Sequence, residues 1–203
     1  MRNYKQETKK AYETYPGAFD EYFAQSFQKY VLPIAEDFLR HLHPHSKILD
    51  LGSGPGYAAE YFKQHGHEVT CIDISEEMVK IAERKGLKAR VMDMEKLTLP
   101  HRSFDGIFAN ASLLHIPKER MPGVIQGVVN ILKTNGFFHM SVKKGDGERM
   151  YENPKYPGAK RFFANYQLDE LQKLFEPHFT IIKVVERNIE NRFFFLNLLA
   201  RLK

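Results

Sequence analysis

Three glycines alternate in the segment Leu49-Asp50-Leu51-Gly52-Ser53-Gly54-Pro55-Gly56. Alternating glycines let a backbone turn tightly and approach a ligand to contact distance. A plain strand-to-helix turn needs fewer. A helix starting just beyond them offers free N–H groups and its positive end to that ligand. Two further acids follow downstream, Asp73 and then Asp93. A carboxylate accepts charge-assisted hydrogen bonds from hydroxyl or amino groups, each worth about 1.5–3 kcal/mol. His115 is the side chain best suited to moving a proton, because an imidazole titrates near neutrality. Its alternative role is to line a pocket and hydrogen-bond backbone or ligand.

These residues need elements to hold them. KILDL (47–51) reads as a short buried strand, and 57–65 as a helix closed by Gly66. EVTCID (68–73) is a second strand. Ser75 caps a helix running to about Lys85, with Glu76 and Glu77 in its first turn. KARVMDM (88–94) and FDGIFANA (104–111) are strands three and four. A helix over 118–133 is stopped by Asn135-Gly136, and FFHMSV (137–142) is strand five. The 144–160 stretch, rich in Gly and Pro, reads as a long loop. A helix over 167–175 precedes two strands, 179–187 and 192–202. Strands separated by helices imply a mostly parallel sheet. The connection from Asn188 to Asn191 is too short for a parallel crossover, so the last strand must be reversed. The expectation is a seven-stranded α/β sheet. Ahead of it, 4–42 carries apolar residues at three- and four-residue spacing, as in a helical cap. One domain over 1–203 is expected, with the cap over 1–45 and the α/β core over 46–203.

In open α/β sheets ligands bind at the carboxyl ends of the strands. A dinucleotide fingerprint is G-x-G-x-x-G, but Tyr57 stands where its third glycine belongs. Asp50 would face the negative pyrophosphate of NAD or FAD. It suits instead a ligand with an ammonium and a sulfonium, as S-adenosylmethionine (SAM) has; alternatively its side chain caps local N–H groups. Asp73, at the end of strand two, can accept from both ribose hydroxyls. Ile74 offers an apolar face to adenine. Asp93, expected to end strand three, can accept from the adenine amino group while Met94 packs on the ring.

ILDLGSGPG, CIDIS, VMDME, LPHRSFDGIFANASLLHIPKE and LKTNGFFHMSV, in this order and spacing, resemble the successive motifs of class I SAM-dependent methyltransferases. The resemblance covers about residues 46–142. It implies a Rossmann-like three-layer sandwich, SAM as cofactor and S-adenosylhomocysteine as product. It places the methionine part of SAM on Gly52 and Gly54, the ribose on Asp73 and adenine against Asp93; Ser53 and Gly56 of the same loop are expected at the cofactor as well. AYETYPGAFDEYF is similar to the tyrosine-containing opening helix of the small-molecule (ubiquinone/menaquinone-type) branch, with Tyr12 the match for an aromatic that closes over the cofactor. Pro16 departs from that pattern.

The residues after strand four decide the acceptor class. They read Asn110-Ala111-Ser112-Leu113-Leu114-His115, with the Asn but neither the prolines nor the tyrosine of the amino-group methylases of DNA and glutamine. Asn110 is expected at the cofactor. Cytosine-C5 methylases need a cysteine nucleophile, and Cys71 lies inside strand two, as a small core residue does. A small-molecule methyl acceptor is expected. The alternatives are an RNA or protein methyltransferase and a SAM-binding module without catalysis. The net charge is only +5, and the basic 143–161 stretch reads as a solvated loop rather than an RNA face. No histidine pairs with a carboxylate at helical metal spacing, so no metal is expected. The longest apolar run, Phe193 to Ala200, is too short to span a bilayer, and MRNYKQETKK has no apolar signal segment. A cytoplasmic monomer or homodimer is expected, with Phe193, Phe194 and Phe195 packed in the core rather than pairing subunits.

Overall fold

The computed structural model describes residues 3–189 and 193–203. Its strands are β1 (Lys47–Leu51), β2 (Glu68–Asp73), β3 (Lys88–Val91), β4 (Phe104–Asn110), β5 (Leu132–Lys143), β6 (Glu148–Glu152), β7 (Lys160–Ala164), β8 (Phe179–Ile189) and β9 (Phe193–Leu202). Seven of them form one sheet in the order β3-β2-β1-β4-β5-β9-β8. β9 alone runs opposite to the other six strands, pairing antiparallel with both β5 and β8. The expected reversed last strand is therefore present, inserted inside the sheet. The tip of the connection before it, residues 190–192, lies outside the described residues.

Helices α4 (Tyr57–Gln64), α5 (Glu76–Arg84), α6 (Met121–Ile131) and α7 (Leu168–Phe175) follow β1, β2, β4 and β7. Buried parallel strands carry apolar residues toward both faces. On one face Leu49, Leu51, Ile107 and Phe138 join Val124 and Val128 of α6 and Phe175 of α7. On the other, Ile48, Cys71 and Phe108 pack with Ala59 and Phe62 of α4. Burying such a side chain contributes about 1.5–3 kcal/mol. Cys71 is fully buried, and that burial pushes its thiol pKa up.

The N-terminal segment forms α1 (Tyr4–Thr14), α2 (Pro16–Ser26) and α3 (Leu32–Leu39), with a π-helical turn at Phe27–Val31. Pro16 opens α2, the one place in a helix where its missing N–H costs nothing. Phe38 of α3 packs in the same cluster as Phe62 and Phe108. Phe19 of α2 packs instead on Met78 and Ile81 of α5, so the first two helices lie across the strand tips.

The structure departs from the expected elements at four places. β3 stops at Val91, so Asp93 and Met94 follow the strand rather than end it. Helix α6 stops at Ile131, and the chain enters β5 at Leu132, paired with Phe104. Asn135, with φ 64°, marks an irregularity within β5, not the helix end. The 144–160 stretch is not all loop: β6 and β7 pair antiparallel, Glu148 opposite Ala164 and Glu152 opposite Lys160. Phe194 is 46% exposed, so the expected core packing fails there. No helix among the described residues is long and apolar enough to cross a membrane.

Candidate active site

The strand order reverses beside β1, whose neighbours are β2 and β4. The carboxyl tips of these strands bring the sequence-predicted residues together. Gly52 has φ +74°, and a Cβ there would stand 2.4 Å from the Ser112 Cβ. The tips of β1 and β4 thus touch through a position with no room for a side chain. The Ser112 hydroxyl, donating to the Leu51 carbonyl at 2.6 Å, locks the same contact. Its signal in the sequence is a polar residue just beyond a buried strand. Gly56, φ +82°, caps α4 against Leu87, 2.5 Å from where its Cβ would be.

Asp73 organises the loop. Its Oδ2 accepts the Gly54 N–H and its Oδ1 the Ser75 N–H, both at 2.9 Å. Burial raises its pKa, although these bonds oppose the shift. Ser53 donates its N–H to the Ile72 carbonyl at 3.0 Å. Ser75 caps α5 by accepting from the Met78 N–H, as expected. Asp50 is 4% exposed, and its Oδ2 has no hydrogen-bond partner. Burial, and then the nearby Asp73, raise its pKa to about 7. An unpartnered buried carboxylate oxygen is costly without a ligand to meet it. Ile74 and Asn110 are half-buried at the tips of β2 and β4.

Asp93 and Met94 reach the site from beyond β3. The Met94 Cε lies 3.1 Å from the missing Gly52 Cβ position. Asp93 pairs with Lys5 of α1 at 2.6 Å and accepts the Glu95 N–H at 2.9 Å. Glu95 takes Lys5, Arg120 and the Tyr4 hydroxyl as further partners. Nothing in the sequence marks Lys5, because it meets Asp93 only through the fold.

The cap supplies the opposite wall. The Tyr12 hydroxyl lies 2.8 Å from the His115 Nε2, and the His115 Nδ1 lies 2.5 Å from the Phe162 carbonyl. A carbonyl only accepts, so Nδ1 carries the proton and Nε2 accepts from Tyr12. The near-neutral titration expected of His115 is not what the structure gives. Its surroundings desolvate it and, with Arg161 and Lys143 adding positive charge, lower its pKa to about 3. Arg161 donates to the Tyr12 hydroxyl at 3.3 Å. Phe19 packs 4.8 Å from the Tyr12 ring and Phe23 6.3 Å from it. The sequence showed these two rings only as apolar positions of the cap. Among the described residues no three His, Cys, Asp or Glu side chains gather as metal ligands.

A methyltransferase domain model matches residues 49–140. An uncharacterized methyltransferase of Schizosaccharomyces pombe is 35% identical over 131 residues, 59% of this chain and 50% of the relative. A ubiquinone biosynthesis O-methyltransferase of Xanthomonas oryzae pv. oryzae is 31% identical over 103 residues, 47% and 42% of the two chains. The chain thus spans half or less of the length of these curated relatives. Among solved structures, the Burkholderia thailandensis 1,6-didemethyltoxoflavin-N1-methyltransferase superposes with TM-score 0.69 at 26% identity, over 94% of this chain and 90% of that one. A DhpI–SAH complex superposes with TM-score 0.79 over 100% and 98% of the chains; at 21% identity it speaks for the fold. Residues 49–140 are thus a methyltransferase domain, and the sheet with its single reversed strand has the class I, Rossmann-like fold of SAM-dependent methyltransferases.

Proposed function

We propose that this chain transfers the methyl group of SAM to a small-molecule acceptor. The proposed unit is one domain of 203 residues, a cap over 1–45 on a core over 46–203. One observation carries the reading: Asp73 already holds the Gly54 loop while the neighbouring Asp50 oxygen has no partner. Both fit a ligand with hydroxyls at one point and a cation at another. The cofactor, when bound, supplies an electrophilic methyl on a sulfonium with a thioether leaving group.

The chain's own residues do the rest. Gly52, Ser53, Gly54 and Gly56 give close backbone approach, and Asp50 a negative partner for an ammonium group. The spare lone pairs of Asp73 accept hydroxyls. Ile74, Asp93 and Met94 serve the adenine, and Asn110 lines the space beside it. Tyr12 closes over the site and is held there by His115. With a pKa of about 3, His115 is a weak base and acts as a neutral acceptor that positions Tyr12. Alignment of donor and acceptor supplies the catalysis, an effect worth about 7–11 kcal/mol in well-oriented systems.

An acceptor of small size is favoured by where the basic 143–161 segment goes. Lys144 pairs with Glu186 at 2.6 Å, and Arg161 turns inward to Tyr12. That disfavours an RNA ligand. We place the protein in the cytoplasm, as monomer or homodimer. Calorimetry with S-adenosylhomocysteine tests the cofactor site, and release of that product from SAM across a metabolite panel tests turnover. Binding with turnover is expected. Binding without turnover on any acceptor would leave a sensor, and no binding would end the proposal. His115→Ala should slow turnover with a much smaller loss of product affinity.

A further inference from the structure

We propose that the acceptor is a small organic acid, seated by its carboxylate on Arg161 and methylated on that carboxylate's oxygen. The inference rests on the methyl-transfer reading and narrows it. Arg161 is half-buried on β7. Its guanidinium carbon lies 5.5 Å from the ring centre of Tyr12, 5.0 Å from Phe19 and 5.4 Å from Phe163. One terminal nitrogen donates to the Tyr12 hydroxyl, and the buried Nε has no partner. Among the described residues no carboxylate stands within ion-pair distance of it. The cationic groups around the cofactor acids are arranged otherwise: Lys5 is paired with Asp93 and Glu95, and Lys85 with Asp20. The ring faces attract the guanidinium, but its buried Nε stays unsatisfied until an acceptor meets it. Its planar fork matches a carboxylate, and the three rings offer apolar walls to a hydrocarbon body.

The cage adjoins the glycine loop. Phe19 stacks on Phe23 at 6.2 Å, and a Phe23 ring carbon lies 3.8 Å from where a Gly54 Cβ would stand.

Around the cage the described residues leave no base free: the His115 Nε2 is occupied by Tyr12, and in the methyl-transfer reading Asp50 and Asp73 are taken up by the cofactor. An alcohol or an ammonium must lose a proton before it attacks, whereas a carboxylate has lost it on arrival. An ammonium also meets the positive charges of Arg161 and Lys143. A lone pair of the carboxylate oxygen forms the new bond to the methyl carbon. The carbon–sulfur bond breaks, and its pair stays on sulfur. One negative and one positive charge disappear together, giving a methyl ester and a neutral thioether, and no proton moves. Opposite charges cancel most favourably where the dielectric is low.

The test is calorimetry on protein saturated with S-adenosylhomocysteine. Matched acid and amide probes are titrated in: benzoate and benzamide, phenylacetate and phenylacetamide, hexanoate and hexanamide. We expect at least one acid to bind ten-fold or more tightly than its amide. Arg161→Met should erase that preference and Arg161→Lys should keep part of it. Both should retain the affinity for S-adenosylhomocysteine, which shows that they are folded. With SAM, the methylated acid should release methanol in mild alkali, as an ester does. Equal binding of acid and amide in every pair, a preference that survives Arg161→Met, or an alkali-stable methyl product would overturn the proposal. Failure to bind S-adenosylhomocysteine at all would strike the broader reading instead.

Discussion

At the glycine loop Asp73 holds Ser75 two residues away and Gly54 nineteen residues away. At the cap Tyr12 reaches His115 across 103 residues, and the Phe162 N–H reaches the Thr8 hydroxyl across 154. The loop end is built from strand tips and backbone bonds on a buried sheet. The cap end is built from single side-chain contacts between helices α1 and α2, the turn after β4 and strand β7. The first arrangement is fixed before any ligand arrives. The second is held by a few side chains, which makes it the end that can come apart.

The comparison breaks first at Gly52. Gly52→Ala forces a side chain into the left-handed region and onto Ser112. We expect a loss of about 3 kcal/mol in denaturant unfolding, from backbone conformation and overpacking together. A loss below about 1 kcal/mol would mean that the loop end is soft. Asp73→Ala comes next. It should weaken binding of S-adenosylhomocysteine by about 1.5–3 kcal/mol in calorimetry, and unchanged affinity would remove Asp73 from the site.

Acid should separate the two ends. The pKa of His115 in the closed cap is about 3, below its ordinary value of 6.5, so an open cap binds more protons than a closed one. Closure is fully favoured above pH 6.5 and weakens as pH falls toward 3. Between pH 7 and pH 5, hydrogen-exchange protection in α1 and α2 should fall by up to about 2 kcal/mol more than in β1. His115→Gln should cancel the difference. The smallest effect belongs to Lys5→Met. It removes a partly exposed pair with Asp93, and the stability cost should stay under about 1 kcal/mol, confined to α1 exchange.

Legibility in the sequence follows the same divide. β1, β2, β4, the glycine loop and the Ser75 cap were readable because their determinants are local: apolar runs, glycine spacing, a capping hydroxyl. The reversal of β9 followed from connection length. The β6–β7 pair was not readable, since β6 is half-exposed and lacks a clean apolar alternation. The end of α6 was misjudged because Asn135-Gly136 looks like a helix stop, whereas Leu132 pairs with Phe104 and starts a strand. At the site, Asp50 and Asp73 announced themselves by register with the glycines. The pairing of Lys5 with Asp93 and the cage around Arg161 exist only once remote segments meet. The low pKa of His115 was hidden for the same reason, since its cause is the packing around the ring.

The insertion of β9 between β5 and β8 has a consequence for assembly. β8 has no neighbour in the sheet except β9, although β8 comes first in the chain. It cannot join the sheet ahead of its successor. The two must either arrive together as a ready-made ribbon or leave β8 waiting. Until then the long edge of β5 stays open, during synthesis as well as refolding, and an open edge invites pairing with the wrong chain. The slow, aggregation-sensitive stage of folding should therefore be the docking of this ribbon, far from the glycine loop.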